Sequence, residues 1–152
     1  MDPATLTPSA ADLDLEVRRR VVAAGQRYTA NRQAIVGILA GADRPLTTAE
    51  VVARSEGLAQ SSVYRNLSVM ESAGAVVRVA GGDDFARYEL AEDLAGHHHH
   101  LICTRCGQVE DFTVPTGVEA RLEAALGEAA ADAGFEVDLH RLDLVGRCAE
   151  CR

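Results

Sequence analysis

Cysteine occurs four times in 152 residues, always in CxxC pairs: Cys103-Thr-Arg-Cys106 and Cys148-Ala-Glu-Cys151. Two intervening residues let a chain wrap both thiolates of a pair onto one ion, and four soft sulfurs complete a tetrahedral zinc shell. The chain between the pairs must then return to where it began. Cys103, Cys106, Cys148 and Cys151 are therefore expected to clip the last strand of a compact second half to its first. A closed shell leaves no open position for chemistry, so this zinc is structural. Disulfides are the competing use of cysteine. The spacing within each pair disfavours them, as does a start lacking the basic and apolar regions of a secretory signal, and a cytoplasmic setting is expected. A redox dithiol would place one CxxC at the head of a helix, whereas both pairs follow strand-like runs.

Four consecutive histidines, His97 to His100, lie just before the first pair, in a chain with five histidines in all. The run His97-His-His-His-Leu-Ile-Cys103 reads as a strand, in which alternate side chains face opposite sides. His98 and His100 then share one face, and His97 and His99 the other. Each face needs one or two further N or O ligands, and the surrounding half is rich in carboxylates. Imidazole with carboxylate suits zinc, iron, nickel or manganese, and affinity order alone does not choose among them.

Charge divides the chain at its middle. Every basic residue is Arg; nine Arg face eight acids up to Arg78, and six face fifteen from Val79 onward, giving +1 and −9 of the total −8. Residues 15–78 alone carry nine Arg and five acids, a surplus of four positive charges. A duplex-binding first half and a cation-binding second half would produce this pattern. Residues 1–11 read as a disordered tail, and the first half runs from 12 to 90. Asp12 or Asp14 opens an Arg-rich helix with Leu15, Val22 and Ala23 as its apolar stripe. Thr29 caps a second helix, Asn31 to Ala40, with Ile35, Ile38 and Leu39 at helical spacing. Thr47 or Thr48 with Glu50 opens a third through Val51 to Ala53. Ser61 or Ser62 caps a fourth, with Val63, Leu67 and Met70 on one face and Tyr64, Arg65 and Ser68 on another.

After Gly74 the period changes to two. Ala75 to Val79 and Ala86 to Leu90, joined by Gly81-Gly82-Asp83-Asp84, form a hairpin. Helices followed by a hairpin outline a winged helix-turn-helix, whose second helix of the pair enters the major groove. Tyr64 and Arg65 are best placed to meet base edges, with Asn66 close by, while Ser61 and Ser62 sit where a helix start meets phosphate. Residues 91–96 read as a hinge linker. The second half, 97–152, continues with a strand partner at Gln108 to Val114, a helix at Glu119 to Ala133 with Leu122, Leu126 and Ala129 aligned, and a last strand over Phe135 to Arg147. The fold class is α/β (α+β): a winged helix-turn-helix followed by a small α/β domain. Collagen, disorder and a mucin-like stalk are excluded. The longest uncharged apolar stretch, Gln33 to Ala42, is ten residues, against roughly 20 for a membrane span.

These pieces resemble the ferric uptake regulator (Fur) superfamily of metal-responsive repressors over about residues 15–151, most closely its zinc uptake regulators. Arg27-Tyr-Thr-Ala-Asn-Arg32, Ser62-Val-Tyr-Arg-Asn-Leu67, the histidine run with its CxxC, and the closing CxxC carry the likeness. The resemblance implies a homodimer on a palindromic duplex operator, with the second half as dimerisation domain. It implies a regulatory hinge site of Glu89, His98, His100 and Asp111. It also implies a second site of His97, His99, Glu119 and His140, the same division of histidines that strand alternation gives. Arg27 falls in a segment that meets phosphate.

Two departures bear on the metal. The hinge histidine that iron and peroxide sensors supply before the third helix is replaced by Arg44-Pro45-Leu46-Thr47, and Leu90-Ala-Glu-Asp-Leu94 lacks the cysteine of many zinc sensors. Glu89, Glu92, Asp93 or Asp84 is then the acid that completes the hinge. The missing histidine with an intact four-His run favours a zinc-responsive repressor of zinc uptake over an iron- or manganese-responsive one. A metalloenzyme is disfavoured, since no H-E-x-x-H helix is present and four protein ligands leave no open position. A zinc-binding interaction protein without DNA binding is the remaining class. No membrane partner and no small-molecule substrate are expected.

Overall fold

A computed structural model describes residues 9–152; of the expected tail at 1–11, residues 1–8 lie outside them. Helix α1 spans Ala10–Ala23, two to four residues earlier than expected, because Ser9 rather than Asp12 or Asp14 is the cap and accepts from the Asp12 amide. Its buried stripe is Leu13, Val17 and Val21, while Leu15 is 64% exposed and Val22 57%. The sequence offers two apolar stripes on nearly opposite faces of this helix. The core takes the one with a large apolar residue at every fourth position.

Helix α2, Ala30–Ala40, is capped by the Thr29 hydroxyl as expected and buries Ile35, Val36 and Leu39, together with Arg32. Strand β1 is the two residues Leu46–Thr47. Thr47 and Glu50 then form a reciprocal capping box that opens α3, Thr48–Arg54. Helix α4, Gln60–Ser72, begins with Ala59 at its cap and no side-chain bond there, so neither Ser61 nor Ser62 caps it. Both lie inside the first turn. Val63, Leu67 and Met70 are fully buried.

The wing is β2, Val76–Ala80, and β3, Ala86–Leu90, antiparallel, with β1 on the far side of β3 in the order β1-β3-β2. The expected linker at 91–96 holds a short helix α5, Glu92–Ala95, and its Leu94 is buried in the core of α1 to α4. The second sheet has the order β5-β4-β6: β4 is His99–Cys103, β5 is Val109–Phe112 and β6 is Asp143–Gly146. Between β5 and β6 runs α6, Thr116–Asp132, with no buried residue.

The last strand is far shorter than the expected Phe135 to Arg147. Strand β6 pairs in parallel with β4 from His100↔Asp143 to Cys103↔Gly146, and β4 itself is too short to hold more. Phe135, Val137, Leu139, Leu144 and Val145 are exposed. Their apolar alternation reads as a strand, but a strand exists only where a neighbour accepts its amides.

The wing turn rests on the second sheet. A Cβ at Gly82 would overlap the Cys103 carbonyl oxygen, and one at Gly107, where φ is +76°, would overlap the Asp83 carboxylate. Both close approaches require glycine. Buried Arg87 holds Asp83 through two bonds of 2.6 and 2.9 Å, and Val79 packs with Ile102 and Val109. No helix among the described residues is long and apolar enough to cross a membrane.

One stability prediction arises from α3. Arg44 lies 2.5 Å from Glu50, and it holds the carboxyl well below its ordinary value, to about 2, with the Thr47 amide and hydroxyl contributing and burial opposing. Glu50→Ala removes half of the capping box and is expected to cost about 1 kcal/mol. A depressed carboxyl contributes fully above about 4.5 and loses its contribution as pH falls through about 2. Denaturant curves of protein and variant should therefore differ at pH 7 and converge as the pH falls from about 4 toward 2.

Candidate metal centres and nucleic-acid interface

Cys103 ends β4, and the tight turn after it returns Cys106 beneath it, with the Gly107 amide donating to the Cys103 carbonyl at 3.0 Å. After β6, Cys148 caps a single 3-10 turn, Ala149–Cys151, that ends on Cys151. The four thiols are free and converge, every sulfur within 4.8 Å of the others. Cys106 and Cys148 stand 3.7 Å apart, Sγ to Sγ. A tetrahedral ion with Zn–S bonds of about 2.3 Å has S···S edges of about 3.8 Å, whereas a disulfide would need about 2.05 Å. The backbone amides of Cys106, Cys148 and Arg105 stabilise the Cys103 thiolate and bring its pKa down to about 6. The donor set fits zinc.

The histidine run divides as expected. Glu89 on β3, His98 just before β4, His100 on β4 and Asp111 on β5 bring ligand atoms within 4.8 Å of one another. Glu89 Oε2 lies 3.0 Å from His98 Nε2 and 3.2 Å from His100 Nε2, and the Asp111 oxygens lie 3.9 and 3.7 Å from those nitrogens. Burial pushes the Glu89 carboxyl up, but hydrogen bonds from His100 and His98 win and hold it at about 2. Glu89 in turn raises His98 to about 9, while burial pushes Asp111 upward. An ion would take both donor types, imidazole nitrogen and carboxylate oxygen, and its binding would release protons.

Of the other acids considered for the hinge, Asp93 is paired with Arg20, Glu92 bonds His97 and Asp84 stays exposed at the turn. Arg44 lines the same cleft as Glu89, His98 and Asp111.

On the opposite face His97, His99, Glu119 and His140 form the third group. Glu119 Oε1 and Oε2 meet His97 Nε2 at 3.0 Å and His99 Nε2 at 2.9 Å. His140 Nε2 lies 2.8 Å from Glu119, yet without hydrogen-bond geometry, and it is a buried nitrogen lacking a partner. Buried polar atoms seldom go unpaired. A buried ring nitrogen without a hydrogen-bond partner, standing beside a carboxylate and two further imidazoles, fits a cation among them.

At the other end of the molecule α4 leaves Tyr64 and Arg65 exposed, Tyr64 by 55%. With Ser61, Ser68, Thr48 and Gln60 they line one concave surface. Thr48 and Gln60 carry no signal of this in the sequence, where nothing but the α3–α4 packing would bring them there. Arg27 is exposed before α2. Asn66 is turned inward: its amide oxygen accepts from Arg32 Nε at 3.0 Å, and its amide nitrogen donates to the Ser62 carbonyl at 2.9 Å and to the Ser62 hydroxyl at 3.3 Å. It ties α4 to α2 instead of reaching outward.

A winged helix with an exposed recognition face, joined through its wing to a sheet bearing three clusters of metal-ligand residues, defines a metal-responsive DNA-binding regulator. Comparison with known proteins agrees. The sequence model of the ferric uptake regulator family matches residues 23–145. The peroxide operon regulator of Bacillus subtilis is 32% identical over 131 residues, covering 84% of this chain and 85% of that protein. The ferric uptake regulator of Helicobacter pylori shares the fold at a TM-score of 0.74 over 95% of each chain, with 21% identity. The Pseudomonas aeruginosa ferric uptake regulator, solved with manganese, aligns at 0.67 with 29% identity over 86% of this chain and 96% of the other. The chain belongs to the ferric uptake regulator family, whose members are dimeric, DNA-binding, metal-responsive transcriptional regulators and not enzymes.

Proposed function

We propose that this chain is a repressor that binds a palindromic duplex operator as a dimer when a divalent ion, zinc, occupies the hinge site of Glu89, His98, His100 and Asp111. The observation that carries this reading is where those residues stand. Glu89 belongs to the wing strand, and His98, His100 and Asp111 to the second sheet and the residue leading into it. An ion held by both would fix the angle between the DNA-binding half, 12–90, and the dimerisation half, 97–152. Two recognition helices can meet successive major grooves only at one separation, so an ion that prefers that geometry by about 1–3 kcal/mol acts as the switch. The four-cysteine cluster is the structural zinc site, and His97, His99, Glu119 and His140 form a further site. The exposed apolar residues Phe135, Val137, Leu139, Leu144 and Val145, with Val118 and Leu126 on α6, are what a second copy would cover.

Zinc is supported by the donor set. Two imidazoles and two carboxylates make four donors, the number zinc takes in a tetrahedron. Arg44, which lines the same cleft, is a cation that cannot ligate. A second reading, iron or manganese, is favoured by the peroxide operon regulator among the relatives and by the manganese-bound structure.

Chelator-treated dimer titrated against its own promoter DNA at buffered free zinc, ferrous iron and manganese separates the two. Activation by zinc at the lowest free concentration is expected; activation first by iron or manganese at cellular levels establishes the second reading. His98→Ala should keep its fold and its cysteine-bound zinc yet lose about tenfold or more of the metal-dependent gain in DNA affinity. Full retention of that gain overturns the hinge as the switch.

A further inference from the structure

Each hinge histidine is held from behind. In a neutral imidazole one ring nitrogen carries the proton and the other is free to ligate, so a histidine whose Nε2 faces an ion needs an acceptor for Nδ1–H. His98 Nδ1 lies 2.9 Å from the Gly96 carbonyl oxygen, a backbone acceptor supplied by the linker. His100 Nδ1 lies 3.3 Å from Asp143 Oδ1. Asp143 is not part of the ligand cluster, and its partnership follows from register: His100 and Asp143 are directly paired across the parallel strands β4 and β6, so both side chains rise from the same face. His100 itself is buried, with a side chain 7% exposed, while Asp143 is 42% exposed, at the edge of a cavity of about 610 Å³ that Glu89, His98 and His100 also line.

We propose that Asp143 is a positioning residue for the hinge site: it accepts the Nδ1–H of His100, fixes the tautomer that presents Nε2 toward Glu89 and Asp111, and thereby raises the site's affinity for its ion. This rests on the hinge reading above and extends it to β6. Carboxylates placed behind metal-bound histidines commonly matter by about 10- to 100-fold in affinity. The placement has a structural consequence as well. Strand β6 carries His140 just before it and Cys148 just after it, so the carboxylate behind the hinge sits on the segment that also supplies both other clusters.

The test is a cobalt(II) titration of full-length protein that holds one zinc per chain, at its cysteines, with the hinge cleared by mild chelation, and that carries His140→Ala, which disables the site on the opposite face, so that the visible absorption band belongs to the hinge. Asp143→Ala in that background is expected to weaken cobalt binding about 10- to 100-fold. Asp143→Asn, which keeps an oxygen at the same place to accept Nδ1–H, is expected to lie within about fivefold of its parent. The melting temperature before cobalt is added and the single equivalent of cysteine-bound zinc should be the same in all three proteins, which separates positioning from a folding defect. Cobalt affinity of Asp143→Ala within about twofold of its parent overturns the proposal, as does an Asn variant as weak as the Ala variant. Absence of cobalt binding in the His140→Ala parent overturns the hinge reading itself, and this one with it.

Discussion

Cys103→Ser is expected to leave the second sheet unfolded. Little besides the cysteine cluster holds that half of a single chain together. Its buried apolar cluster is Val79, Ile102 and Val109, one of them borrowed from the wing, and α6 buries nothing within the chain. Cys103 closes β4 with its amide bonded to the Gln108 carbonyl, and its sulfur accepts from the Cys148 amide at 3.4 Å. An ion gripped by both CxxC pairs contributes roughly 10–16 kcal/mol in small zinc domains, as much as or more than the whole stability of a typical domain, about 5–15 kcal/mol. Serine at one corner removes a soft ligand and leaves three thiols around an ill-held ion. The wing turn should loosen too, since Gly82 rests on the Cys103 carbonyl. Zinc analysis should find less than one equivalent per chain, and amide NMR signals of β4, β5 and β6 should collapse to unfolded positions while those of α2 and α4 persist. Chelation of the unmodified protein should produce the same spectrum. A folded, dimeric, zinc-free Cys103→Ser protein would overturn the structural clip.

What the sequence revealed and what it hid divide along a physical line. The cysteine cluster and the two histidine faces were legible because ligand spacing and strand alternation are local properties, and alternation alone separates His98 and His100 from His97 and His99. The Thr29 cap and the Thr47–Glu50 box were legible for the same reason, each lying within one helical turn. The phase of α1 was not, because Leu15 and Leu13 are equally apolar and only docking on α2 selects Leu13. Nor was the extent of the last strand: Val137 and Leu139 have the alternation, but β4 is too short to pair with them. Asn66 looked outward from helix position alone; the buried guanidinium of Arg32, more than thirty positions earlier, claims it. Asp143 carried no signal at all, since its significance exists only through the parallel register that sets it beside His100.

Arg65→Ala is expected to weaken operator binding by about 30-fold or more while leaving all three ligand clusters intact. The residue projects from the first half of α4, where a recognition helix meets base edges, and it stands beside exposed Tyr64 on the same concave surface. A guanidinium pairing with a guanine edge contributes about 1–3 kcal/mol of discrimination. A dimer on a palindrome makes that pairing twice, so the variant should lose about 2–6 kcal/mol, roughly 30-fold to more than 10,000-fold in affinity. Arg65→Lys refines the assignment, because lysine keeps the charge and lacks the planar fork. If Arg65 reads a base, the lysine variant should keep the salt dependence of binding and lose the preference for operator over random duplex. If Arg65 only neutralises phosphate, lysine should restore binding, and alanine should lower the salt slope by about one unit for each phosphate left without its guanidinium. Metal content and cobalt binding must be unchanged in both variants, since Arg65 belongs to none of the three ligand clusters. Alanine binding the operator within about threefold of the unmodified protein, at equal free metal, would remove α4 as the reading helix. The positive surplus of residues 15–78 would then have to act through Arg27 and its neighbours on another face.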